Sequence, residues 1–135
     1  MSRLLLIAAL FSLVTFSCKK EKDDLDNAEV IGNWELSVTS AMSGLQNYPP
    51  GNGNILKLRS DGSFEQIIPG QPTRQGYYKY KSKQDCSPQY SSNKVLILYH
   101  DGYDDIHYVK TEAGKLLLNT SNCLADGGSF TYLRQ

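Results

Sequence analysis

Between His100 and Tyr108 the chain reads "HDGYDDIHY", with two histidines and three aspartates inside eight residues. Imidazoles and carboxylates at such density are the raw material of a divalent metal site. Asp104, Asp105 and Glu112 also place carboxylates around one stretch, the pairing that acid-base catalysis needs. The other reactive side chains are three cysteines, Cys18, Cys86 and Cys123. No serine elbow, phosphate loop, metal-ligand spacing or paired cysteine and histidine accompanies them, so the sequence gives no catalytic motif, no cofactor, and the expectation of a non-enzyme.

What these residues can do depends on the elements beneath them. From Val30 onward there is no helical periodicity; short alternations broken by turn residues predict strands over 30–40, 54–60, 63–68, 75–82, 94–100, 103–111, 115–119 and 129–134. Three connections, "RSDGS", "YHDGY" and "TEAGK", suit three-residue hairpin loops with Gly62, Gly102 and Gly114 in the left-handed conformation. That register sets Leu58 opposite Phe64, Lys57 opposite Glu65 and Leu96 opposite Ile106. It gathers Leu96, Leu98, Ile106 and Tyr108 on one face and turns Tyr99, Tyr103, Asp105 and His107 to the other, which favours a hairpin over a metal site. Eight strands of this kind predict an all-β fold, an eight-stranded antiparallel up-and-down β-barrel, because closure removes both sheet edges. The runner-up is a two-sheet β-sandwich.

The amino terminus has a different character. Arg3 precedes an unbroken apolar run from Leu4 to Val14, too short for a bilayer span and laid out as an export signal, so residues 1–17 are read as targeting. The remaining chain is long enough for one domain and too short for two. It carries 13 basic and 14 acidic side chains once Arg3 is set aside. That balance gives no field to draw nucleic acid.

The stretch "TFSCKK" resembles the lipobox of bacterial lipoproteins, with Ser17 as the small residue before Cys18, and its "SCKK" ending is similar to lipoproteins of Bacteroidota. The resemblance implies cleavage before Cys18 and a lipid on its sulfur, hence a membrane anchor with no spanning helix. Behind it, "KKEKDDLDNAE" is dense in charge, and residues 18–29 are expected to form a flexible tether. Its acids Glu21, Asp23 and Asp24 resemble the signal that carries such lipoproteins to the outer face of the outer membrane, and Lys19 fits passage to that membrane.

The body, residues 30–135, resembles lipocalins. Its first strand holds "GNW", with Gly32 and Trp34 followed by Leu36 and Val38, and its last holds "FTYLR" with Arg134. In that family an arginine packs across the tryptophan where the barrel closes, a role the resemblance gives to Arg134 and Trp34. Closer still is the likeness to small lipocalin-like lipoproteins of Bacteroidota, carried by Gly32, Trp34, Asp61, Gly62, Phe64, Cys123, Asp126, Gly127, Tyr132 and Arg134.

With Cys18 assigned to lipid, Cys86 and Cys123 are an even count in an exported chain, which favours a disulfide. In a simple meander, however, their loops fall at opposite ends of the barrel. A ligand cavity would be lined by Trp34, Leu36, Leu56, Leu58, Phe64, Tyr78, Tyr80, Leu96, Leu98, Ile106 and Tyr108, suiting a small hydrophobic molecule that a tyrosine hydroxyl can orient; the same residues could equally just fill the core. The loop from Ala41 to Gly53, with Met42, Leu45 and Tyr48, is either a lid over the mouth or an ordinary surface loop. Two functions follow as expectations. One is an anchored barrel that binds a small, partly hydrophobic molecule, and the other is a surface module or inhibitor that meets an envelope protein through its loops and Tyr77, Tyr99 and Tyr103.

Overall fold

The computed structural model describes residues 24–83, 94–120 and 127–135. These residues form nine strands and no helix: β1 (Gly32–Ala41), β2 (Gly44–Asn47), β3 (Ile55–Leu58), β4 (Ser63–Ile67), β5 (Arg74–Ser82), β6 (Lys94–His100), β7 (Tyr103–Glu112), β8 (Lys115–Asn119) and β9 (Ser129–Arg134). Every pairing is antiparallel between sequence neighbours, apart from β1 with β3, and β9 pairs back onto β1. Eight strands therefore close an up-and-down barrel, which excludes the sandwich, and β2 is an additional strand beside β1.

Alternation along the strands builds the interior. Trp34, Leu36, Leu56, Leu58, Phe64, Tyr78, Tyr80, Leu96, Leu98, Val109, Leu116, Leu118 and Tyr132 join one buried cluster with Val30. At the β3–β4 turn Leu58 faces Phe64 and Lys57 faces Glu65, and the Lys57 ammonium and Glu65 carboxylate lie 2.9 Å apart. Here Arg59 O accepts from Gly62 N at 3.1 Å and Gly62 takes φ 83°, the three-residue loop that the sequence predicts. Farther on, β5 passes so close to β6 that a Cβ on Gly76 would lie 2.0 Å from the Tyr99 carbonyl oxygen. Glycine is required there by space alone.

The β6–β7 turn differs from expectation. His100 pairs with Tyr103 across only Asp101 and Gly102, both left-handed at φ 48° and 80°. This two-residue loop moves the register by one, and in a strand one step turns every side chain over. Leu96 faces His107 and Leu98 faces Asp105, so Asp105, His107 and Val109 point inward. Ile106 and Tyr108, assigned to the cavity lining from sequence, lie on the outer face; Ile106 is 39% exposed and Tyr108 is buried on the side of Val95. The "TEAGK" connection is likewise a two-residue loop, with Ala113 at φ 39° and Gly114 at 81°.

A second correction concerns the segment before β1. Residues 24–29, read as tether, form a strap under one end of the barrel. Asp24 bridges to Lys81, Leu25 N donates to Tyr80 O at 2.9 Å, and Leu25 packs on the core. A turn in which Asn27 O accepts from Val30 N and Ile31 N drops Val30 into full burial. Two of the strap's polar side chains engage the barrel: Glu29 accepts hydrogen bonds from Tyr80 Oη, Lys94 Nζ and Thr111 Oγ1, and Asn27 Nδ2 donates to Tyr78 Oη at 3.0 Å. Asn27 and Glu29 thus find partners on the barrel, which fastens the strap across its end.

Candidate functional site

The strap makes one end of the barrel a floor. Trp34 Nε1 donates to Val30 O at 2.8 Å, and the Arg134 guanidinium lies 4.3 Å from the indole centroid while donating to Ile31 O at 3.0 Å. Stacked and hydrogen-bonded at once, this pair locks strap, first strand and last strand together. Gly32 beside it has no Cβ, and one there would sit 2.8 Å from Arg134 Nη1. The glycine leaves room for the guanidinium.

The other end of the barrel is open and holds a cavity of about 180 Å³. Its apolar floor is Leu56, Leu98, Leu118 and Phe130, and its rim is Gln66, Arg74, Asp105, His107, Thr120 and Tyr132. Each rim group is delivered by alternation. Gln66 and Arg74 face one another across β4 and β5, while Asp105 and His107 come from the turned-over register of β7. A further hollow of about 230 Å³ lies at the strap, between Asp24–Asn27 and Tyr78–Tyr80.

Electrostatics divides the rim. Asp105 Oδ2 lies 2.8 Å from His100 Nε2, and that hydrogen bond is the main reason the His100 pKa is raised above the usual 6.5, against an opposing push from burial and from the nearby Arg74 charge. His107 is the reverse case, since burial holds its pKa below 6.5 and the Asp105 charge opposes only in part. His107 Nδ1 is buried with no hydrogen-bond partner among the described residues, while the ring stands edge-on to Phe130 at 6.2 Å. The Tyr132 hydroxyl bonds the Gln66 amide, and burial pushes its pKa up to about 12. Such a rim can bind and orient a polar group, and the floor can hold an apolar one.

Of the lining residues named from sequence, Leu56 and Leu98 border this cavity. Trp34, Leu36, Leu58, Phe64, Tyr78, Tyr80 and Leu96 belong to the packed core, with Tyr78 and Tyr80 spent on the strap. Gln66, Arg74, Asp105 and His107 were not anticipated; for Asp105 and His107 the signal that finds them is Asp101-Gly102 read as a two-residue turn, and for Gln66 and Arg74 it is the inward alternation continued from Phe64 and Tyr78. Among the described residues no cluster of histidine, cysteine, aspartate or glutamate could hold a metal ion.

The segment read as either a lid or a surface loop begins as a hairpin. One extra residue, Ser37, bulges β1 against β9 and reverses its facing, so that Val38 leaves the core side and Leu45, paired with Ser40, points outward. Met42 and Leu45 are 84% and 72% exposed at its tip and do not cover the mouth. The return segment is pinned: Glu35 accepts from Gly51 N and Gly53 N, Asn52 Nδ2 donates to Leu36 O, and Tyr48 packs against the core beside Tyr132. Cys18, Cys86 and Cys123 lie outside the described residues. The strand ends flanking Cys86, Ser82 and Lys94, are at the strap end, and those flanking Cys123, Asn119 and Ser129, are at the mouth.

Comparison of the chain with protein-family models, with curated proteins and with solved structures found no match.

Proposed function

We infer that the chain is a membrane-anchored lipoprotein whose lipocalin-like barrel binds a small, partly hydrophobic molecule in its open end. The observation that carries the binding is the mouth cavity, which pairs an apolar floor with a polar rim instead of filling with side chains. Its size bounds the ligand: a dry cavity of about 150 Å³ is enough for benzene, so about 180 Å³ takes one ring with a small substituent. The anchor is supported by the resemblance of "TFSCKK" to a lipobox, and the outer membrane, facing outward, by Glu21, Asp23 and Asp24 behind Cys18. Native mass spectrometry of the full chain released from its own membrane is expected to show a bound species of low mass. A chain that carries nothing, and shifts no resonance of Leu98 or Phe130 against a library of monocyclic compounds, would overturn the binding.

A second reading, a module that meets an envelope protein through its loops, is favoured by the exposed apolar tip at Met42 and Leu45.

A further inference from the structure

The mouth cavity is unevenly supplied with partners. Its one carboxylate, Asp105, is engaged by His100 Nε2 at 2.8 Å. Arg74 lines the same cavity from the first position of β5, and its side chain has no ion pair or hydrogen bond among the described residues. Its charge reaches His100 electrostatically, so the guanidinium stands within the same group of side chains as the imidazole that has already claimed the acid. His107 Nδ1, buried in the cavity wall, is a second unmet polar atom. A cation with no anion thus borders this space.

Resting on the reading of the barrel as a binding protein, we propose that its ligand is a small monocarboxylate whose acid group meets Arg74 while its apolar body rests on Leu56, Leu98 and Phe130. A carboxylate matches the fork of a guanidinium. A neutral ligand would desolvate Arg74 without compensation. A cation would meet Arg74 and find only the carboxylate that His100 holds. A dianion would bring a second charge toward Asp105 and cost more to desolvate in so small a space.

Benzoate, benzamide and benzylamine share one ring and differ in charge, and each can be titrated calorimetrically into the full chain in lipid nanodiscs at constant ionic strength. Benzoate is expected to bind about tenfold or more tighter than benzamide, the scale of a hydrogen bond to a charged group, with benzylamine weakest. Arg74→Gln, a change at an exposed strand end, is expected to remove that preference, so that benzoate and benzamide bind the variant with similar affinity. Benzamide or benzylamine equal to benzoate, or benzoate affinity unchanged in Arg74→Gln, would overturn the carboxylate while leaving a binding barrel in place. Failure of all three probes would remove the carboxylate and the binding reading together.

Discussion

His100 and His107 sit on adjacent strands and respond to acid in opposite senses. His100 is stabilised as a cation by Asp105, so the folded state holds its proton more tightly than the unfolded chain; that contribution is complete below pH 6.5 and fades as pH rises through the folded value. His107 is held neutral by burial, so the unfolded chain binds the proton more tightly, and stability falls as pH drops from 6.5 toward the folded value. Denaturant unfolding between pH 5 and 8 is therefore expected to show two separable slopes. His107→Gln should flatten the acid side and His100→Gln the neutral-to-alkaline side, and a variant that flattened the other side would contradict the assigned burial. Neither slope can be read from "HDGYDDIHY", where the two histidines look alike, because their difference lies in which one reaches a carboxylate and which is enclosed.

At the scale of elements, seven of the eight barrel connections run between sequence neighbours or across the β2 insertion, and hydrophobic alternation located every barrel strand to within a few residues. The facing of β7 was less legible. "RSDGS" and "YHDGY" share an Asp-Gly pair, yet in the first only Gly62 is left-handed and Asp61 Oδ1 accepts from Ser63 N at 2.8 Å, while in the second Asp101 and Gly102 both are left-handed. Burial pattern could not arbitrate, since Ile106 and Tyr108 are apolar on one face of β7 and Val109 and Tyr103 on the other. The "TEAGK" turn gives a direct check, because Ala113 is a non-glycine residue held at φ 39°. Ala113→Gly is expected to raise stability by roughly 1 kcal/mol, the cost of a side chain in the left-handed region. Urea midpoints would measure it, and a fall would mean that the loop is the longer bulged kind.

For the whole molecule the least legible part was the strap. Composition reads "KKEKDDLDNAE" as a solvated tether; its residues 19–23 lie outside the described residues, and Leu25, Asn27 and Glu29 have specific partners on the barrel that no local pattern announces. Deleting residues 24–30 removes the full burial of Val30, about 1.5–3 kcal/mol, and the partial burial of Leu25, and opens the floor beneath Trp34. The full chain is expected to be more stable than the deletion by about 3 kcal/mol or more. Since Trp34 is the sole tryptophan, a red shift of its emission in the native deletion variant would report the opened floor directly. An unshifted spectrum with unchanged stability would show the strap to be dispensable.

The strap also sets which way the barrel looks. Asp24 is fastened to Lys81 at the floor end, and only six residue steps separate it from Cys18. Fully extended they reach about 20 Å, so with Cys18 lipidated as proposed the floor is leashed close to the lipid surface, and the rim of Arg74 and His107 opens on the far side. The protein then works as a cup standing on its base, filled from the aqueous phase and not from the bilayer. A lipid-embedded quencher should dim a fluorophore at Ser82 and spare one at Met42, which stands at the mouth.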